Sequence, residues 1–76
     1  MIPRHRRSGH GSALQRIRRA HGLTLRRMGS TLGVSDTAIR TWETDARPLP
    51  VFAALAYAAL ARRARLPWIA VVLEAA

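Results

Sequence analysis

Two glycines, each followed two residues later by a helix-capping hydroxyl, do most to limit what this chain can fold into. Gly22-Leu23-Thr24 and Gly33-Val34-Ser35 repeat one punctuation. A residue that accepts left-handed backbone is followed by an apolar residue, then by an oxygen that can cap the next helix. Apolar residues recur at helical spacing on either side of each mark. Leu14, Ile17 and Ala20 share a face before Gly22, Leu25, Met28 and Leu32 share one between the glycines, and Ala38, Ile39 and Trp42 share one after Ser35. The pattern predicts a first helix capped by Ser12 and running to about His21, a second capped by Thr24 and running to about Leu32, and a third capped by Ser35. Asp36 in the first turn of the third helix complements its dipole. Gly29 lies inside the second helix, where it costs roughly 1 kcal/mol relative to Ala; close approach of another helix would account for it.

The third helix separates its residues cleanly. At about 100° per residue, Asp36, Thr37, Arg40, Thr41 and Thr44 fall on one arc of roughly 140°. Ala38, Ile39 and Trp42 take the opposite side. One face must be buried, and the other offers short, hydrogen-bonding side chains. A short helix, a tight turn and a second helix of this kind form a helix-turn-helix, whose second helix has the shape to enter a DNA major groove.

After a loop, Asp45 to Pro50, Pro50 suits the first position of a fourth helix reaching about Ala64. It carries Val51, Phe52, Leu55, Ala56, Ala59 and Leu60, and its many alanines allow close packing. Arg62, Arg63 and Arg65 suit its C-terminal end. Pro67 breaks the chain. The final segment, Trp68 to Ala76, is apolar nearly all round, and its β-branched Ile69, Val71 and Val72 leave both helix and edge strand open, with helix preferred. The expected class is all-α: a small five-helix domain with a flexible basic arm at residues 1–11, a core unit at 12–65 and an apolar C-terminal segment at 66–76. The arm is read either as a segment lying along phosphates or in the minor groove, or as a terminus that only aids solubility.

Charge narrows the partner. The chain has 76 residues and a net charge of +9, from 13 arginines, no lysine and four acids: Asp36, Glu43, Asp45 and Glu74. That excess points to a polyanion, nucleic acid before an acidic membrane surface. Arginine suits phosphate and guanine because its planar fork donates two parallel hydrogen bonds. Cysteine is absent, which removes disulfides and thiol chemistry. No apolar core follows the basic N-terminus, and the stretch Val51–Ala61 is about half of the ~20 residues that a membrane span needs. A cytoplasmic protein is expected. His5, His10 and His21 have no cysteine and few carboxylates near them, so no metal site is expected. The acids form no pair and the serines no ordered triad; neither an enzyme nor a cofactor is expected.

Residues 14–50 resemble the Cro/CI-like, or XRE, helix-turn-helix family. The likeness rests on Leu14, Ile17, Arg18, Gly22-Leu23-Thr24, Met28, Leu32-Gly33-Val34-Ser35, Ile39, Trp42-Glu43 and Arg47. It implies a lambda-repressor-like fold and a DNA-binding regulator. Leu25 to Leu32 would be the positioning helix and Asp36 to Thr44 the recognition helix. The family's base-contacting positions fall at Asp36, Thr37 and Thr41, with Arg40 beside them. Arg18 and Glu43 match positions that form a partly buried ion pair between the first and third helices of related proteins. Two positions depart from the pattern: Leu25 stands where the family often has a backbone-contacting Gln, and Asp45 where it often has Gly.

On this reading Arg40 bonds guanine O6 and N7 together, Asp36 holds its guanidinium from one turn away, and Thr37 and Thr41 meet neighbouring base edges. The alternative is that Arg40 grips a phosphate and Asp36 only starts the helix. Thr24, Arg26, Arg27, Thr44 and Arg47 suit phosphates, which set register without reading sequence. Trp42 and Met28 belong to the core. Trp68, Ile69, Val72 and Leu73 supply apolar area that a monomer this small can hardly bury, and are assigned to dimerisation. The expected protein is a homodimeric (auto)repressor of double-stranded DNA, with no small-molecule ligand. Single-domain members of the family are often phage or plasmid regulators, antitoxins or repressors of anti-CRISPR operons. Rival readings are an antitoxin or adaptor whose apolar tail binds another protein, a cationic membrane-surface peptide, and, as a minor option, an RNA binder.

Overall fold

The computed structural model describes residues 10–75 and contains five helices and no strand among them. They are α1 (Gly11–Ala20), α2 (Leu25–Leu32), α3 (Asp36–Glu43), α4 (Val51–Arg63) and α5 (Pro67–Ala75). The class is all-α, as the periodicity indicated. Helix α3 packs on α2 and α1, α4 packs on α1, and α5 folds back along α4.

Both predicted marks are in place. Gly22 and Gly33 take left-handed backbone, at φ 66° and 77°. The Arg27 N–H donates to Thr24 Oγ1 at 3.0 Å, and the Ala38 N–H donates to Ser35 Oγ at 3.1 Å. These bonds satisfy N–H groups that a helix start leaves unpaired. The Val34 N–H returns to the Gly29 carbonyl at 2.8 Å and closes the turn.

The first helix begins differently. Ser12 is its second residue rather than its cap, and the preceding His10 makes no side-chain capping bond. The Gly11 N–H instead donates to Asp45 Oδ1 at 3.1 Å, a carboxylate from the loop after α3. Asp45 reaches it from left-handed backbone, φ 62°, a conformation that favours Gly and that Asp tolerates better than most residues. Gly11 is buried so closely that a Cβ there would lie 2.3 Å from the Glu43 carbonyl oxygen. His10 and Gly11 therefore belong to the folded body; residues 1–9 of the expected arm lie outside the described residues.

One core joins all five helices. Leu14, Ile17, Met28, Ile39, Trp42, Tyr57, Ile69 and Leu73 are its larger members. Helix α4 turns its small residues inward: Ala53, Ala54, Ala58 and Ala61 are buried with Tyr57, while Val51, Phe52 and Leu55 remain exposed. Alanine lets neighbouring helices approach, and Tyr57 supplies the volume. Pro50 caps α4 rather than starting it. Helix α5 settles the choice left open for the last segment, and corrects one assignment. Ile69 and Leu73 are each 1% exposed, inside the chain's own core, so they are not available to a partner. Trp68, Val71 and Val72 form its outward side. Arg62 on α4 pairs with Glu74 on α5 across this hairpin, with Nη2 to Oε1 at 2.8 Å. No helix among the described residues is long and apolar enough to cross a membrane.

Candidate nucleic-acid interface

Helix α3 is held from three sides. The turn before it sits on Gly29, where a Cβ would lie 2.6 Å from the Val34 carbonyl oxygen and 3.1 Å from the Ser35 carbonyl carbon. The close neighbours of this glycine are the main chain of the turn and of the first residue of α3, whose Asp36 nitrogen would lie 3.2 Å from that Cβ. At the other end, Arg18 Nε and Nη2 donate to Glu43 Oε2 and Oε1 at 2.7 and 3.0 Å, and Arg18 Nη1 donates to the Leu23 carbonyl at 2.8 Å. The ion pair implied by the resemblance is present and bidentate, and it raises the Arg18 guanidinium above its ordinary range. On the buried side, the Trp42 ring meets the Phe52 ring of α4 edge-on, with centroids 6.1 Å apart and planes at 79°, a favourable aromatic geometry.

The opposite face is open. Asp36, Thr37, Arg40 and Thr44 are exposed and Thr41 is half-buried, while Ile39, Trp42 and Glu43 are buried. Thr41 Oγ1 donates to the Ala38 carbonyl at 2.8 Å, and Thr44 Oγ1 donates to the Arg40 carbonyl at 2.9 Å. With their protons so engaged, these threonines present an acceptor oxygen and a methyl outward. Thr24 differs: its oxygen accepts from Arg27 N–H, leaving its own proton for an outside acceptor. The Ala46 and Arg47 N–H groups both donate to the Thr41 carbonyl, at 2.9 and 3.3 Å. This fold-back ties Arg47 to the last turn of α3.

Arg26, Arg27, Arg40 and Arg47 are exposed. Among the described residues ion pairs join Arg18 to Glu43 and Arg62 to Glu74, and none engages these four arginines. In the free protein Asp36 and Arg40 are both exposed, and no ion pair joins them. Their placement one turn apart still lets a shared ligand bridge them. The surface made by α2, α3 and the following loop is positive and polar, with four exposed guanidinium groups around Asp36, its one exposed acid.

Two features escaped the sequence reading. Asp45 joins the end of α3 to the start of α1; the departure from Gly was visible, its distant partner was not. Tyr57 packs with no exposed surface beside the Arg18–Glu43 pair, and among the described residues its hydroxyl meets no group in good hydrogen-bonding geometry. Burial first, and the Glu43 carboxylate second, push the phenol well above its ordinary range. Among the described residues no group of three His, Cys, Asp or Glu could hold a metal ion. His21 Nε2 lies 2.8 Å from the Leu60 carbonyl, which accepts its proton and links α1 to α4.

No protein-family model, curated protein or solved structure matches the chain. The resemblance to the Cro/CI-like family therefore rests on the residues themselves.

Proposed function

We propose that this chain is a sequence-specific DNA-binding regulator of the Cro/CI-like kind, acting as a homodimeric repressor. The observation that carries this reading is the outward face of α3. Asp36, Thr37, Arg40 and Thr41 stand clear of the core, while the caps, Gly29, Glu43 and Trp42 leave the helix no freedom to roll. A rigid helix with a solvated polar ridge fits a major groove, and preorganisation lowers the entropy lost on binding. Arg40 reads guanine, and the acceptor and methyl of Thr41 suit cytosine amino and thymine methyl groups. Thr24, Arg26, Arg27, Thr44 and Arg47 hold the phosphates.

The dimer forms through the outward side of α5. Trp68, Val71 and Val72 are all about half exposed or more. The Arg16 guanidinium lies over the Trp68 ring, 5.7 Å from its centroid, and the flanking Glu74 is neutralised by Arg62. With the Arg62–Glu74 pair cancelled, this face keeps only the one positive charge of Arg16, little of the chain's +9, so it can meet its own copy, and a two-fold contact pairs like with like. Two α3 helices would then read half-sites about 34 Å apart. Repression follows from occlusion of a promoter.

The test is selection of bound duplexes from a random pool at moderate salt. The expected product is a pseudo-palindrome with half-sites about one helical turn apart. Recovery of unrelated sequences would leave only charge-driven, non-specific binding.

A further inference from the structure

An open groove of about 460 Å³ runs between the end of α2 and the outer side of α4. Leu32, Phe52, Ala56 and Leu60 line it, and Arg63 stands at its edge. Phe52 is 53% exposed, yet its ring is braced edge-on by Trp42. The wall is therefore preformed. Arg63 forms no ion pair among the described residues, unlike its neighbour Arg62, which Glu74 engages. An apolar trough with one free cation calls for an occupant that is apolar on one side and acidic beside it.

These 76 residues do not supply that occupant. Of its four acids, Glu43 is buried against Arg18, Asp45 bonds Gly11, Glu74 is paired with Arg62, and Asp36 lies on the polar ridge of α3. Residues 1–9 are basic in sequence, with Arg4, Arg6 and Arg7. A second copy has no exposed, unpaired acid outside its own α3 ridge to set against Arg63.

We infer that the α2–α4 groove is a docking site for an acidic amphipathic segment of a different protein, whose apolar side chains enter between Leu32 and Phe52 while a carboxylate meets Arg63. Helix-in-groove binding of this kind needs apolar anchors one helical turn apart and places charge at the rim. The site is separate from the α3 ridge, so duplex binding and peptide binding can be lost independently.

The test starts from a random-peptide display library selected on the full chain at about 0.15 M salt, where long-range charge effects are screened. The expected peptides carry acids interleaved with apolar residues spaced by three and four. The tightest of them is labelled and titrated against the wild type, Arg63→Glu, Ala59→Glu and Arg40→Glu. Ala59 is exposed and lines the groove, so both groove variants keep the core intact. Arg63→Glu and Ala59→Glu should each weaken the peptide about tenfold or more, while Arg40→Glu changes it less than about twofold. Arg63→Glu should leave duplex binding in place. The inference is overturned if no peptide is recovered, if the recovered peptides lack acids, or if Arg40→Glu weakens them as much as Arg63→Glu does.

Discussion

Arg18 and Glu43 meet side-on through two hydrogen bonds of 2.7 and 3.0 Å, with side chains only 11% and 3% exposed. The pair locks the last residue of α3 to α1, and so fixes the rotation at which the polar ridge faces outward. Replacing Arg18 by Ala strands the Glu43 carboxylate in the core. The expected loss is about 3–5 kcal/mol, a large part of the roughly 5–10 kcal/mol available to a domain this small. Urea unfolding measures it. Exchanging both residues for apolar ones of similar size, Arg18→Met with Glu43→Leu, should be far milder, because no charge is left buried.

Asp45 has two opposed effects on stability. Its left-handed backbone favours Gly, and its carboxylate satisfies the Gly11 N–H. Asp45→Gly relieves the first and removes the second. Loss of a cap costs about 1 kcal/mol, so a small net destabilisation is expected, with faster hydrogen exchange confined to the first turn of α1. Stabilisation of the whole domain would mean that the bond contributes little.

Tyr57 is the chain's one tyrosine, so its phenolate can be followed by absorbance alone. Its folded value is raised above the unfolded one of about 10. The sign follows directly: the neutral phenol's contribution is fully present below about pH 10 and is lost as pH climbs through the higher folded value. The absorbance should stay that of the phenol until the fold opens. Tyr57→Phe removes a buried hydroxyl that makes no well-formed hydrogen bond among the described residues. It should be neutral or stabilising by about 1 kcal/mol, and should lessen the alkaline loss.

The two sides of α5 should respond differently. Leu73→Ala empties a core position and is expected to destabilise by about 2–4 kcal/mol. Val72 is 48% exposed, so Val72→Glu should leave thermal stability of the monomer nearly unchanged. If α5 is the dimer contact, that same change places a charge in an apolar interface. Sedimentation at micromolar concentration should then give a dimer for the wild type and a monomer for Val72→Glu.

The parts of the fold readable from the sequence were those fixed by neighbours. Thr24, Ser35, Gly22 and Gly33 act within a few residues of themselves, and the split faces of α3 follow from helical period alone. The Arg18–Glu43 pair needed the family resemblance, since the two residues lie 25 positions apart. What stayed hidden depended on distant chain. The Gly11 cap comes from 34 residues away, so the nearer Ser12 was the natural but mistaken candidate. The inward face of α4 is mostly alanine, which carries little periodic signal beside Phe52 and Leu55. In α5 every residue from Trp68 to Leu73 is apolar, so pattern could not tell Ile69 and Leu73, which the core takes, from Trp68, Val71 and Val72, which it leaves out. Asp36 and Arg40 were placed one turn apart correctly, but spacing does not make a contact when both can remain in water.

The most direct measurement is competition between a selected duplex and a scrambled one of equal length and salt, for the wild type and for Arg40→Ala. The wild type should prefer the selected duplex by about a thousandfold or more. Arg40→Ala should lower that preference by about ten- to a hundredfold, concentrated at one base pair, since a bidentate guanine contact discriminates by about 1–3 kcal/mol. Equal affinity of the wild type for both duplexes, or an equal drop on both in Arg40→Ala, would contradict base reading by the α3 ridge.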